Sequence, residues 1–260
     1  MTEAIPTILT IAGSDPSSGA GLQADLYTLH DLGCRGRSVV TAITAQTNDR
    51  VLGVWPTSAD VLTQQLATAA DGVELSAVKV GMVATAANVW ATIWFLKSRP
   101  HGDVVIDPLL HSSSGLPLLD KSAIPIFRQQ LLPYATVITP NIPEAMALAG
   151  MQIATVEAME VAAKSIYEEV YRFRGGGDRP LVIAIKGGHL RRDPVDVVYD
   201  GTQHYRLSGE RLPGGIHGSG CRFATAIAAG MAKKMPVVEA IAAAKVYVTE
   251  LVRKGEKDPI

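Results

Sequence analysis

The sequence predicts an α/β fold in which a central, mostly parallel sheet carries helices on both faces and ends in a late antiparallel hairpin. Three observations carry that prediction. Short β-branched runs alternate with longer segments whose apolar residues recur every three or four positions. Several runs, VVID and LVIAIKG among them, are apolar at consecutive positions, as strands covered from both sides must be. Near the C-terminus the dipeptide Asp200-Gly201 separates two short runs, 196–199 and 203–207, which is the pattern of a hairpin with a primed turn.

Taken in order, strands are expected at residues 7–11, 38–44, 77–80, 104–107, 136–139 and 181–186, with helical crossovers between them. The glycine run that starts at Gly175 reads as a surface loop closing the preceding helix. After the hairpin, Gly218-Ser219-Gly220 leads into an Ala-rich helix over 221–233, and a second helix follows over about 237–254. No internal repeat or linker-like stretch divides the 260 residues, so one domain over 1–260 is expected.

Composition narrows the class. With 47% hydrophobic and 19% charged residues and a net charge of -1, the chain can bury a large core and has no positive excess for nucleic acid. The N-terminal MTEAIPTILTIAG carries an acidic residue where a signal peptide would be basic, and its apolar run is too short to span a bilayer. Cys34 and Cys221 lie far apart and outside any C-x-x-C spacing, so neither a disulfide framework nor a zinc site is suggested. A cytoplasmic protein with no membrane partner is the expectation.

In a doubly covered α/β sheet, ligands bind outside the carboxyl ends of the strands, so the residues there are the candidates for chemistry. The first strand is followed by a Gly- and Ser-rich loop whose Gly19-Ala20-Gly21-x-x-Ala24 portion superficially matches a dinucleotide fingerprint. Six residues separate Ala12 from Gly19, however, and the second strand ends in Ala45-Gln46-Thr47 rather than in an acid for a ribose. Asp15 and Ser17 also suit plain turn and cap chemistry. His217-Gly218-Ser219-Gly220-Cys221 places small residues before a helix, where backbone N–H groups and the helix dipole would cradle a phosphate. The chain has no Walker motif. Cys221 in the first turn of that helix is expected to have a lowered thiol pKa and to serve as a base, whereas Cys34 reads as a small buried hydrophobe.

Other strand ends add polar groups. Thr139-Pro-Asn141-x-x-Glu144 puts an amide and a carboxylate at a helix start, where Glu144 could hold Mg2+ through water or simply complete a cap. Lys186, ending an apolar strand, could meet a transferring phosphate or merely snorkel. Asp107-Pro108 could stand near the metal or only begin a turn. Gln46 offers a donor and an acceptor to a heterocycle, and Met82 a flexible apolar wall.

Together, Ala12-Gly13-Ser-Asp15-Pro-Ser-Ser-Gly-Ala-Gly-x-Gln-Ala-Asp25, Thr41-Ala-x-Thr-Ala-Gln46, Lys79-x-Gly-Met82, Asp107-Pro, Thr139-Pro-Asn141-x-Pro-Glu144, Lys186-Gly-Gly-His and His217-Gly-Ser-Gly-Cys221 resemble the hydroxymethylpyrimidine/phosphomethylpyrimidine kinases. That family is ribokinase-like, and the resemblance implies its three-layer α/β/α fold and its two reactions. These are ATP-dependent phosphorylation of a pyrimidine's hydroxymethyl group and then of the monophosphate, with Mg2+, in thiamine biosynthesis. Carried over by position, Gln46 would bond the aminopyrimidine, with Asp25, Gly13 and Met82 near the ring. Gly218, Ser219, Gly220 and Cys221 would serve the transfer, Lys186 and Asn141 the ATP phosphates, and Glu144 and Asp107 the metal. A homodimer is also implied.

The chain departs from the family's pattern at His111-Ser-Ser-Ser-Gly115, at Leu212-Pro-Gly-Gly-Ile216 and at Arg222-Phe223. Arg222 could add a phosphate contact. A pyridoxal kinase is the competing reading, since its substrate is also a flat heteroaromatic with a hydroxymethyl group. A non-catalytic pyrimidine-binding protein is another, opposed by the retention of base, anion hole, metal and lysine candidates together.

Overall fold

The strands alternate between two apolar faces, and that alternation sets the architecture. In this computed structural model, residues 4–48, 50–112, 115–175, 179–188, 194–212 and 215–255 are described. β1 (Thr7–Ser14), β2 (Arg35–Gln46), β3 (Val51–Pro56), β4 (Ala77–Val80), β5 (Asp103–Ile106), β6 (Val137–Ile138), β7 (Val182–Ile185), β8 (Val195–Tyr199) and β9 (His204–Ser208) form one sheet. Its order is β3-β2-β1-β4-β5-β6-β7-β8-β9. The stretch β2-β1-β4-β5-β6-β7 is parallel throughout, and β3, β8 and β9 add antiparallel edges.

On one face Leu9, Ile11, Val78, Val80, Val104, Ile106 and Ile183 meet α2 (Ala59–Ala69), α3 (Ala86–Ser98), α5 (Ile142–Ala149) and α6 (Val156–Arg174). On the other, Ile8, Ala77, Val105, Val137, Val182 and Ala184 meet α1 (Gly21–Asp31), α7 (Ser219–Ala232) and α8 (Val237–Lys254). In β1, β4, β5, β6, β7 and β8 odd and even positions part cleanly between the two clusters, as a period of two requires. A winding stretch over 121–134, which contains the short α4 (Ile124–Ile126), packs Phe127 and Leu131 into the first face.

Each expected strand is present, several with shifted ends, and the hairpin forms as β8 and β9. Gly201 alone opens its loop with a positive φ of 94°, while the Asp200 carboxylate accepts hydrogen bonds from the Thr202 and Gln203 backbone N–H groups. Gly175 closes α6 at a φ of 71°; the rest of that glycine run lies outside the described residues. β3 is an addition to the expected set. Its Val-Leu-Gly-Val-Trp-Pro run lacks alternation, because it is an edge strand whose Leu52 and Trp55 are exposed on its two sides.

The second face changes character towards the carboxyl ends. Two residues beyond Ala77, Val105, Val137 and Ala184 come Lys79, Asp107, Thr139 and Lys186, so the apolar rows beneath α7 end in polar side chains. The site is built there.

Candidate active site

A cavity of about 860 Å³ opens at the carboxyl ends of the parallel strands and under the first turn of α7. Gly13, Gln46, Met82, Asp107, Asn141, Glu144, Lys186, Gly218, Ser219, Gly220 and Cys221 all line it. Of the residues that the family resemblance gives a role, Asp25 does not line it.

The start of α7 is held in place by glycines. Gly218 has a φ of 73°, and a Cβ there would run into the Gly19 carbonyl oxygen. Gly21 has a φ of 59°, and a Cβ on it would run into the Gly13 carbonyl oxygen. The β1–α1 loop and the α7 start therefore touch through bare backbone. No side chain caps α7, which leaves first-turn N–H groups for a ligand.

Beside this helix start stands a carboxylate–lysine group. Lys186 Nζ donates to Asp107 Oδ1 at 2.7 Å, and Thr139 Oγ1 donates to the same oxygen at 3.0 Å. Asp107 Oδ2 is buried without a partner. A Cβ on Gly220 would lie 3.1 Å from Lys186 Nζ, so α7 comes down directly over this group. Burial works against the Lys186 charge, but Asp107 and Glu144 outweigh it and raise its pKa. Lys186 is thus a fixed cation at the cavity wall rather than a snorkelling side chain.

Asn141 and Glu144 form a capping box at the start of α5: Asn141 Oδ1 accepts from Glu144 N, and Glu144 Oε2 accepts from Asn141 N, each at 2.8 Å. The plain capping reading therefore holds, yet Glu144 Oε1 remains buried and unpartnered in the cavity. Burial lifts the Glu144 carboxyl to about 7, against the pull of Lys186 and with the repulsion of Asp107. Among the described residues no three His, Cys, Asp or Glu side chains cluster as a metal cage. Two orphaned carboxylate oxygens still suit Mg2+, which keeps several waters and takes further ligands from phosphates.

Cys221 corrects an expectation. It sits in the first turn of α7, but it is only 6% exposed, and burial pushes its thiol up to about 11 although Lys79 pulls the other way. Desolvation wins over the helix start, so the thiol is neutral near pH 7.

Asp25 stands one layer below. It is fully buried and accepts from Thr10 Oγ1 at 2.5 Å, Lys79 Nζ at 2.7 Å and Thr225 Oγ1 at 2.7 Å. A direct contact with a ring in the cavity does not fit this position. The motif could not reveal it, because nothing in the local sequence says which side of α1 faces the cavity. The Lys79 in AVKV did carry a signal: a charge in the middle of a fully buried strand needs a partner.

The opposite end of the cavity is organised by Asp15. Its carboxylate accepts from the Ser17 N–H and hydroxyl and from Ala20 N, which confirms turn chemistry for this loop. Burial pushes its pKa up, but contacts from His217, Ser17 and Gln46 outweigh that and hold it far below the usual range. His217 Nε2 lies 3.3 Å from Asp15 Oδ2, in poor hydrogen-bond alignment. The sequence alone gives this histidine no role. Gln46 thus sits at the cavity edge against an acceptor-only carboxylate, while Met82, Leu109 and Leu118 make an apolar wall.

The departures from the family pattern fall partly here. His111, Ser112, Gly215 and Ile216 line the cavity, while Ser113, Ser114, Pro213, Gly214 and His189 lie outside the described residues. Arg222 does not reach the cavity; it is buried with its guanidinium 5.5 Å from the Tyr27 ring centroid, a cation–π contact between α7 and α1.

Comparison with known proteins agrees with this geometry. Residues 15–258 match the family model described as phosphomethylpyrimidine kinase. The chain is 39% identical over 251 residues to the hydroxymethylpyrimidine/phosphomethylpyrimidine kinase of Streptomyces coelicolor, covering 96% of this chain and 90% of that one. It is also 39% identical to the thiamine biosynthesis bifunctional protein ThiED of Geobacter sulfurreducens, covering 96% of this chain but only 50% of that protein, so it spans about half of it. Among solved structures, the ADP complex of Bacillus subtilis pyridoxal kinase superposes with a TM-score of 0.84 at 36% identity, covering 96% of this chain and 93% of that one.

Proposed function

Because the chain belongs to the phosphomethylpyrimidine kinase family, we propose that it transfers the γ-phosphoryl group of ATP to 4-amino-5-hydroxymethyl-2-methylpyrimidine and then to the resulting monophosphate, in thiamine biosynthesis. The observation that carries this is the convergence of Lys186, Asp107 and Glu144 beneath the uncapped start of α7. That is a set of charges for holding and moving a phosphoryl group. The unit doing so is one ribokinase-like domain over 1–260.

In this reading Gln46 bonds the aminopyrimidine, with Gly13 and Met82 against the ring; Asp25 supports the floor from below. Lys186 and Asn141 hold ATP phosphates, and Gly218, Gly220 and Cys221 present backbone N–H groups to the moving phosphoryl group, while Ser219, whose N–H reaches the Ile216 carbonyl at 3.4 Å, closes the turn before them. Asp107 Oδ2 and Glu144 Oε1 would hold Mg2+, which when bound neutralises phosphate charge. The hydroxymethyl oxygen attacks the γ-phosphorus, and the bond from that phosphorus to the bridging oxygen breaks to release ADP. Cys221 can take the hydroxyl proton only as a thiolate, about one molecule in 10⁴ at pH 7 for such a thiol. In a largely dissociative transition state the attacking oxygen has little bond to phosphorus and stays weakly acidic, so its proton leaves late, once that bond has formed, to an oxygen of the transferred phosphoryl group, and positioning supplies most of the acceleration.

A homodimer and a cytoplasmic location belong to the same proposal. Ile43 and Trp55, paired across β2 and β3, are both exposed at that edge of the sheet, which gives a second copy an apolar surface. No helix among the described residues is long and apolar enough to cross a membrane.

Pyridoxal phosphorylation is the second reading, favoured by the likeness to the Bacillus subtilis pyridoxal kinase. The kcat/KM values of the wild type for the aminopyrimidine alcohol and for pyridoxal, measured side by side, separate the two. The pyrimidine should lead by at least about tenfold; a lead for pyridoxal would replace the substrate assignment and leave the kinase site intact.

A further inference from the structure

The transfer described above gives the layer under Cys221 no more than a supporting part, yet a fully buried ion pair lies there. Lys79 and Asp25 have 0% side-chain exposure and meet at 2.7 Å. An apolar pair of similar volume in such a place is often as stable or more so, so packing alone does not account for two buried charges.

The pair is oriented. Both Asp25 oxygens are turned to partners in the fold: Thr225 on α7 reaches Oδ1, and Thr10 on β1 reaches Oδ2 beside Lys79. Thr10 and Lys79 are neighbours across the β1–β4 register, so they leave the sheet on the same face. Thr225 lies four residues after Cys221 and shares its helix face, which sets the pair one turn beneath the thiol. Lys79 lines the cavity and Asp25 does not. The ammonium also has a notch to occupy, since a Cβ on Gly81 would stand 2.9 Å from Nζ. The spacing of Lys79 and Gly81, which found no use in the transfer, is accounted for in this way.

We infer that the Asp25–Lys79 pair is a buried dipole whose positive end lies just under the cavity floor beneath Cys221 and stabilises the negative charge that builds on the substrate oxygen during transfer. Asp25, Thr10 and Thr225 act through Lys79 and are positioning residues. Fixed charge of this kind needs no reorganisation at the moment of reaction.

The kinetic part rests on the kinase reading; the location of the charge does not. The test protein is the double variant Lys79→Met with Asp25→Asn, which leaves net charge unchanged, so any effect is local. Two quantities are read after a thermal melt has shown the protein folded. One is the ratio of Cys221 alkylation rates by iodoacetate and iodoacetamide, followed on the tryptic peptide by mass, in which differences in thiol ionisation cancel. The other is kcat and KM for the pyrimidine alcohol. The ratio should fall at least about threefold, because the anionic reagent loses its attraction, and kcat at least about 30-fold with KM within about threefold.

Gly81→Ala, which keeps both charges but takes the ammonium's space, should shift both quantities in the same direction and serves where the double variant does not fold. An unchanged ratio in a folded variant, or a fallen ratio with kcat within about twofold of wild type, overturns the inference. Should the wild type phosphorylate no substrate, the kinase reading falls, while the ratio still decides where the charge sits.

Discussion

Glu144 shows how one side chain serves the fold and the site at once. One oxygen completes the α5 capping box, and the other is buried without a partner. Its carboxyl rises from 4.5 to about 7, so the folded protein holds that proton more tightly than the unfolded chain does. The stability this gives is present below about pH 4.5 and is lost as pH climbs through about 7. Glu144→Gln keeps the cap and mimics the protonated form. At pH 8 the ligand-free variant should melt a few degrees above wild type, a difference that closes near pH 5, while KM for Mg-ATP rises about tenfold. A variant that melts lower at pH 8 would show that the buried carboxylate is not a burden on the fold.

Cys221 gives the second residue-scale expectation. Cys221→Ala should lower kcat by about 10²-fold at most and leave turnover well above background. In the wild type, alkylation of this thiol by iodoacetamide should keep rising about tenfold per pH unit beyond pH 9. A plateau near pH 7 would restore the low-pKa thiolate that the sequence suggested. The difference between the two views is burial: helix position can be read from a Gly-Ser-Gly run, but the burial of one sulfur depends on the elements packed on α7, among them α1, β4 and β5, far away in sequence.

At the scale of elements, the meeting of the β1–α1 loop with the start of α7 is the most demanding feature. Gly218→Ala would force a positive φ on a side chain and drive its Cβ into the Gly19 carbonyl. The expected cost is about 1 kcal/mol or more of stability, read in urea melts, together with a fall in kcat/KM of about 10²-fold as the anion cradle opens. The parallel strands were legible because short runs of consecutive apolar, β-branched residues between turn signals suit a strand covered on both faces and are too short for a buried helix. β3 was not, since a short edge strand exposed on both sides leaves no periodic trace. The place of Asp25 was equally hidden, because its partners Thr10, Lys79 and Thr225 come from three separate elements.

For the whole molecule, the sheet divides two cores, and the polar ends of one face make the cavity floor. That division was readable in outline from the sequence, as was the gathering of the motif residues at the strand ends, since most of them line one cavity. Ligand binding should therefore stabilise the entire sheet cooperatively. Mg-ADP at 100 times its Kd should add about 2.7 kcal/mol, and raise Tm by roughly 5–10 °C in a single transition. Two separate transitions would contradict one cooperative unit.

The two-step kinase reading stands or falls on a phosphorus NMR time course of wild-type protein with Mg-ATP and the aminopyrimidine alcohol. A pyrimidine monophosphate signal should rise first and then give way to the diphosphate, with ADP formed in step. ATP left intact beside an unmodified pyrimidine, under conditions where the protein is folded and binds Mg-ADP, would contradict it.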